Sequence, residues 1–386
     1  MTSKRKVCVV VNSRANYGRI KSVLDAIKSH DRLELKLIVG AAALLSKYGD
    51  LTDYISKDGF EIDATIYSII EGENPLTMAK STGLGIIEIS TQFDRIKPDI
   101  VLTVADRFDT MATAIAASYM NIPLAHTQGG EVTGSIDESV RHAITKLSHI
   151  HFPATKLAAE NIIKMGEDKK TVFLTGCPAM DVIHKKDLSI NKVITDKYLG
   201  VGMGFNPEEP YLVVLQHPVT TEYVEIEKQI IQTINAIKKL KIQTAWLWPN
   251  VDAGSDKVSK ALRQFREIDK PDYIHFFKNV EIIDYAKLIY NSQCLIGNSS
   301  SALREGSFLG VPAVNIGSRQ NTRERGLNVI DVQYDQDEIE RAIIKQIGHG
   351  KYPEQQIFGD GNSAEKIANI LANEEINIQK VLSYTN

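Results

Sequence analysis

Short runs rich in valine, leucine and isoleucine alternate with longer amphipathic stretches along the chain. No other feature limits the fold as strongly. In the first half these runs fall at residues 7–11, 33–39, 100–104, 122–126, 150–152 and 172–174. Strands with apolar side chains on both faces must be covered on both faces, and helices between them supply the cover. The stretches 19–27 and 112–120 carry the spacing of such helices. The pattern predicts a doubly wound, parallel α/β sheet.

The pattern lapses over residues 187–209, which end in Phe205-Asn-Pro-Glu-Glu-Pro210 and read as a linker. A second series follows at 211–215, 244–247, 273–276, 294–296 and 313–316, with a helical stretch at 222–239. A chain of 386 residues fits two domains. The expectation is two Rossmann-like halves, 1–187 and 210–361, facing a central cleft.

The 45 basic and 48 acidic residues leave a net charge of −3, which argues against nucleic acid or an anionic membrane as partner. Any anion must be held by a local site. Cys8, Cys177 and Cys294 have neither disulfide nor zinc spacing, which fits a reducing cytoplasm. The apolar run 7–11 gives way to Asn12 and Ser13, so it reads as a first strand rather than a signal peptide. There is no G-x-G-x-x-G after that strand and no P-loop motif, so neither a tightly held nicotinamide nor P-loop chemistry is expected.

In sheets of this kind ligands sit at the carboxyl ends of the strands. Polar clusters recur there: residues 12–18, Asp106 with Arg107, and His126 to Glu131 in the first half. Gln216-His217, residues 249–254 and Gly297-Asn-Ser-Ser-Ser301 follow in the second. The glycine and serines of the last cluster, leading into a helical pattern, suit either an anion site or simple capping. Glu305 could take ribose hydroxyls, and Arg14, Arg107, Arg319 and His217 could clamp a diphosphate. Asp106, Glu131, Asp137 and Glu138 suit general acid/base work, although Asp106 and Asp137 also stand where helix caps are expected. A structural hydrogen bond is expected of His142. His149 and His151 alternate on a strand with no third ligand spaced to join them, so no metal is expected.

Taken in order, the stretches SRANYG, DRFD, GGEVTGSIDESVRHAITKLSHIH, LQHPVTT, PNVDAGS, GNSSSALRE, Ile316-Gly-Ser-Arg-Gln320 and FGDGN resemble the hydrolysing UDP-N-acetylglucosamine 2-epimerases. That family includes bacterial sialic-acid-pathway enzymes and the epimerase half of the animal bifunctional epimerase/kinase. The resemblance implies a GT-B fold, with the segment of about 362–386 packing back on the first domain. It implies loss of UDP from C1 as the C2 proton is abstracted, then hydration of the glycal to a free sugar inverted at C2. No metal or redox cofactor is required, and a homodimer is implied. By motif position Asp106, Glu131, Asp137 and, less directly, Glu138 are the acid/base residues, with the C2 base left open. Arg14, Arg107, His217, Asn250, Ser299, Ser300, Glu305 and Arg319 would hold UDP, with Val280 near the base.

The chain also departs from the family pattern. Relatives often carry HGDR where this chain has Ala105-Asp-Arg107, and HIEGGE where it has His126-Thr-Gln-Gly-Gly-Glu131. Ala105 and Gln128 therefore mark the sugar side as altered. UDP-GlcNAc and UDP-2,4-diacetamido-2,4,6-trideoxyglucose both stay open as substrates. A GT-B glycosyltransferase and a non-catalytic nucleotide-sugar sensor are the alternatives of other classes.

Overall fold

The computed structural model describes residues 4–45, 51–72, 74–133, 136–184, 186–249, 254–278 and 280–384. The chain forms two compact units. The first runs to Val132, takes in Ile136–His184 and ends with the segment from Phe358; the second is built from Lys185–Ile357. Among the described residues no helix is long and apolar enough to cross a membrane.

The first unit contains β1 (Arg5–Val11), β2 (Leu33–Gly40), β3 (Ala64–Ile66), β4 (Ile100–Val104), β5 (Leu124–Thr127) and β6 (Ile150–Phe152). All pair in parallel, in the order β3-β2-β1-β4-β5-β6. Strand β1 shows why its sequence is apolar throughout. Val7, Val9 and Val11 join a core with Ile20, Leu24 and Ile27 of the helix Arg14–Ser29. Cys8 and Val10 face a second core with Ile89 and Phe93 of the helix Pro75–Ile96.

The second unit contains β7 (Val201–Gly202), β8 (Leu212–Leu215), β9 (Thr244–Leu247), β10 (Ile274–Phe277), β11 (Cys294–Gly297), β12 (Ala313–Ile316) and β13 (Val329–Val332). The order is β13-β12-β11-β8-β9-β10-β7, parallel except for β7, which runs antiparallel to β10. Counted from β8, this is the same doubly wound order as the first sheet. In each unit the winding reverses between the first and fourth strands, β1 and β4 or β8 and β11. Open α/β sheets bind ligands at such points.

Four stretches differ from the sequence expectation. Residues 172–174 make only an isolated bridge, Val172 to His151, and Leu174 is 47% exposed, so no second face is buried. Strands β3 and β13 were not expected; β3 has three residues, and β13 is an edge strand with Asp331 exposed. The stretch 187–209, read as a linker, supplies the helix Val193–Lys197 and β7. Its anchors are Phe205, edge-on to Tyr211 with centroids 5.0 Å apart, and Tyr198, which donates to Asp284 Oδ2 at 2.7 Å.

The helix Ser363–Asn373 returns to the first unit and places Ile367 and Leu371 in its main core. Opposite charges hold its two ends. Asp181 accepts from the Ser363 and Ala364 amides at 2.9 and 2.6 Å. Arg5 Nη1 donates to the Leu371 and Glu374 carbonyls at 2.6 and 2.9 Å, and Arg32 Nη2 to Ala372 at 2.8 Å. Each charge satisfies backbone groups that the helix end leaves open and complements the helix dipole. Asp181→Ala is expected to lower unfolding free energy by about 1–2 kcal/mol in urea titration. An unchanged midpoint would refute this anchoring role.

Beyond that helix, Lys380 Nζ meets the buried Glu167 at 2.8 Å, beside Lys146 Nζ at 2.5 Å and His151 Nε2 at 3.1 Å. Burial alone would raise the Glu167 carboxyl. Hydrogen bonds from His151, Lys146 and Lys380 outweigh it and bring the pKa from 4.5 to about 2. Burial holds the His151 imidazole below its usual 6.5, against the pull of Glu167. Both shifts have the same sign in linkage: the unfolded chain binds protons that the folded one resists. The stability contributed by these two groups is therefore full above pH 6.5, begins to fall below it, and keeps falling from 4.5 toward about 2. Urea midpoints measured down this range should drop steadily. Glu167→Gln should lower stability at neutral pH and flatten the lower part of the curve; a parallel curve would contradict the assignment.

Candidate active site

The candidate residues fall into two groups, one in each unit. In the first, β4 ends at Ala105-Asp106-Arg107 and β5 ends at Gln128. The turn Gly129-Gly130 leads to Glu131, and the helix Asp137–Leu147 follows. The two glycines let neighbouring protein approach closely. A Cβ on Gly130 would lie 2.1 Å from the Ala158 carbonyl, and one on Gly129 would lie 2.8 Å from Thr145 Oγ1. Asn161 Nδ2 donates to the Gly130 carbonyl at 2.9 Å and fixes the turn.

Asp106 does not cap a helix. The cap position of Phe108–Tyr119 is Arg107, whose Nε reaches Asp109 Oδ2 at 3.4 Å. Asp106 Oδ2 instead accepts from Arg141 Nη2, while Arg141 Nη1 donates to the Glu131 carbonyl at 2.7 Å. The Arg141 side chain is 1% exposed and that of Asp106 15%. One buried guanidinium thus ties the end of β4 to the segment after β5. Nothing in the sequence reading singled out Arg141. The available signal was an arginine four residues after Asp137 on an apolar-periodic helix, on the face that holds buried Ile144 and Thr145.

Asp137 and Glu138 occupy the first turn of that helix, whose cap position is Ile136. Their charge favours the positive end of its dipole. Glu131 is 4% exposed. His142 Nε2 lies 3.5 Å from Glu138 Oε1. His149 and His151 serve the backbone and Glu167: Leu124 N donates to His149 Nδ1 at 3.1 Å, and His149 Nε2 donates to the Ile378 carbonyl at 3.1 Å.

His126 is fully buried between β4 and the helix. Its Nε2 lies 2.8 Å from the Ala105 carbonyl and its Nδ1 3.2 Å from Thr145 Oγ1. A carbonyl can only accept, so the proton sits on Nε2 and the Thr145 hydroxyl donates to Nδ1. Burial pushes its pKa down to about 3, so the ring is a neutral brace. Arg14 begins the helix after β1. Its guanidinium lies 4.6 Å from the Tyr54 ring, and its Nε and Nη2 have no hydrogen-bond partner among the described residues.

In the second unit the switch point between β8 and β11 is laced by Asn298. Its Oδ1 accepts from His217 N at 2.7 Å, and its Nδ2 donates to the His217 carbonyl at 2.9 Å. Arg319 Nη1 and Gln320 Nε2 donate to the Asn298 carbonyl at 3.3 and 2.9 Å. Gly297 before it has φ of 129°, and a Cβ there would lie 2.1 Å from the Leu215 carbonyl. The turn that follows is not the start of a long helix, as the sequence suggested. It is a short 3₁₀ turn, Ser300–Ala302, then a four-residue helix, Glu305–Phe308. Asn328 Nδ2 takes up the Ala302 carbonyl at 3.1 Å, which diverts it from a continuing helix.

Ser299 Oγ accepts from Ser301 N at 3.3 Å and from the Ser301 hydroxyl at 2.9 Å, and Tyr285 lies behind at 2.6 Å from Ser301 Oγ. The Glu305 Oε2 atom is buried without a hydrogen-bond partner among the described residues. His217 and Arg319 thus both bond to Asn298, which directly precedes Ser299 and Ser300 and was given no role of its own within the Gly297–Ser301 cluster. Val280 stands just before the helix Ile282–Tyr290. Asn250 lies outside the described residues.

The UDP-N-acetylglucosamine 2-epimerase family model matches residues 25–372. A UDP-N,N'-diacetylbacillosamine 2-epimerase (hydrolyzing) of Legionella pneumophila is 34% identical over 367 residues, covering 95% of each chain. A UDP-N-acetylglucosamine 2-epimerase of Neisseria meningitidis is 30% identical over 376 residues, covering 96% of each. Among solved structures, UDP-GlcNAc 2-epimerase from Neisseria meningitidis bound to UDP-GlcNAc superposes with a TM-score of 0.80 at 18% identity, covering 96% of this chain and all of that one. The Methanocaldococcus jannaschii enzyme in complex with UDP-GlcNAc and UDP gives 0.77 at 17%, covering 96% and 100%. These likenesses establish two Rossmann-like domains of the GT-B type. With the family match spanning both units and relatives of 30% identity or more along the chain, the protein belongs to the UDP-N-acetylglucosamine 2-epimerase family.

Proposed function

We propose that the protein is a hydrolysing 2-epimerase that converts UDP-GlcNAc to ManNAc and UDP, a step toward sialic-type acids. The observation that carries this reading is the cluster of Asp106, Arg141 and Glu131 at the ends of β4 and β5, in a chain of this family. In the first step a carboxylate takes the C2 proton. The C2–H electron pair forms the C1=C2 bond, and the C1–O pair leaves with UDP. In the second step water adds across the double bond, its oxygen at C1 and a proton at C2 on the opposite face. Asp106, Glu131, Asp137 and Glu138 are the proposed acid/base residues. Arg14, Arg107, His217, Asn250, Ser299, Ser300 and Arg319 would hold the diphosphate and ribose with Glu305, and Val280 would lie near the base. On this reading no metal or redox cofactor is needed, and the protein acts in the cytoplasm as a homodimer.

A second substrate has support of its own. The Legionella relative is named for UDP-N,N'-diacetylbacillosamine, the diacetamido-trideoxy sugar. Gln128 lies at the end of β5, on the sugar-facing side of this reading.

Incubation with each sugar nucleotide in D2O, followed by NMR, should show UDP release and a free sugar inverted and deuterated at C2. Release with retained configuration and no deuterium would overturn the proposal. Product formation only with an added acceptor would identify a glycosyltransferase, and binding without turnover a sensor. Glu131→Gln should lower kcat by about 10²–10⁴-fold and leave UDP affinity within about twofold. Full activity in that variant would remove Glu131 from the chemistry.

A further inference from the structure

We propose that Arg141 is a positioning residue, which holds Asp106 charged and aimed so that Asp106 is the carboxylate that takes the C2 proton. This rests on the hydrolysing 2-epimerase reading and assigns a role that the motifs leave open. A cation hydrogen-bonded to one carboxylate oxygen favours the ionised form, so Asp106 enters the reaction as a proton acceptor and not as a donor. The guanidinium is 1% exposed, in the middle of the helix Asp137–Leu147, where a charge persists only when paired. Among the described residues it is anchored on the Asp106 carboxylate and on the Glu131 carbonyl. The first sets the charge of Asp106. The second sets where Asp106 stands relative to the segment that carries Glu131.

A carboxylate tied to arginine is a weak base, and here a weak base suffices. As the C1–O bond opens, C1 gains oxocarbenium character and the neighbouring C2–H becomes acidic. The Asp106 carboxylate then takes that proton, the C–H pair closes the C1=C2 bond, and the C1–O pair departs with UDP. The fixed negative charge also lies where positive charge develops at C1, which is the interaction that lowers the barrier. His126 braces the same strand end as a neutral ring bonded to the Ala105 carbonyl, one residue before Asp106.

The test is a double-mutant cycle on the full-length protein. Wild-type turnover of UDP-GlcNAc or UDP-N,N'-diacetylbacillosamine is measured first, because its absence sinks the underlying reading and this inference with it. Given turnover, Arg141→Gln and Asp106→Asn are each expected to lower kcat by about 10²–10³-fold, with the dissociation constant for UDP within about twofold. The double variant should be no slower than the slower single one, since Arg141 acts through Asp106. Arg141→Lys, which keeps the charge and one donor, should recover part of the loss. It replaces Arg141→Gln in the cycle if the latter does not fold. Wild-type kcat in Arg141→Gln, or losses that multiply in the double variant, would overturn the inference while leaving the epimerase reading intact.

Discussion

A strand buried on both faces can present polar side chains only where it ends, and that constraint organises this protein. Helices cover each side of both sheets, so Val7 to Val11 and their counterparts carry no chemistry. Polar function is driven to the carboxyl edges. Both units wind in the same order, and in both the polar residues gather at or beside the reversal of winding. There each unit uses a different fixture to hold its strand ends. The first uses a buried cation, Arg141. The second uses a neutral amide, Asn298, which exchanges two hydrogen bonds with the His217 backbone.

That difference suits the chemistry proposed for each group. A cation biases the charge of a neighbouring carboxylate, as acid/base work requires. An amide fixes geometry without adding charge. The short turn Ser300–Ala302 follows the same logic. Asn328 intercepts the Ala302 carbonyl, and the serine hydroxyls bond to one another and to Tyr285.

Central strands were legible in the sequence because burial on both faces leaves an unmistakable apolar run. Edge strands were not, since β13 keeps Asp331 in solvent and β3 is only three residues long. The motifs pointed to loops at the strand ends, but they named the residues with polar ends and missed those that tie these loops together. In the sequence Arg141, Asn298 and Asp181 have no role of their own until their distant partners are seen. The separation between Asn298 and His217 is 81 residues, and between Asp181 and Ser363 it is 182. Two details were also invisible in one dimension. Ala105 and Gln128 both adopt the left-handed region, with φ of 63° and 61°. Non-glycine residues seldom do so, and such conformations cluster at functional sites. They close neighbouring strands, and each redirects the chain toward one of the candidate carboxylates.

The returning helix Ser363–Asn373 bears on the order in which the protein can be made. Arg5 bonds to a carbonyl 366 residues further along, and Ile367 and Leu371 fill the same core as Val7 and Ile20. Apart from Thr133–Ser135, the second unit is the stretch from Lys185 to Ile357, so all of it leaves the ribosome before the first unit receives its last helix. Synthesis begins in the first unit and folding ends there, with the early core standing open to solvent through most of translation. The outgoing and returning strands are then joined where Cys177 N donates to the Phe358 carbonyl, beside a Gly176–Gly359 contact too close for any Cβ. That seam can close only after the whole of the second unit has emerged, and the helix Ser363–Asn373 and the Lys380–Glu167 pair follow it.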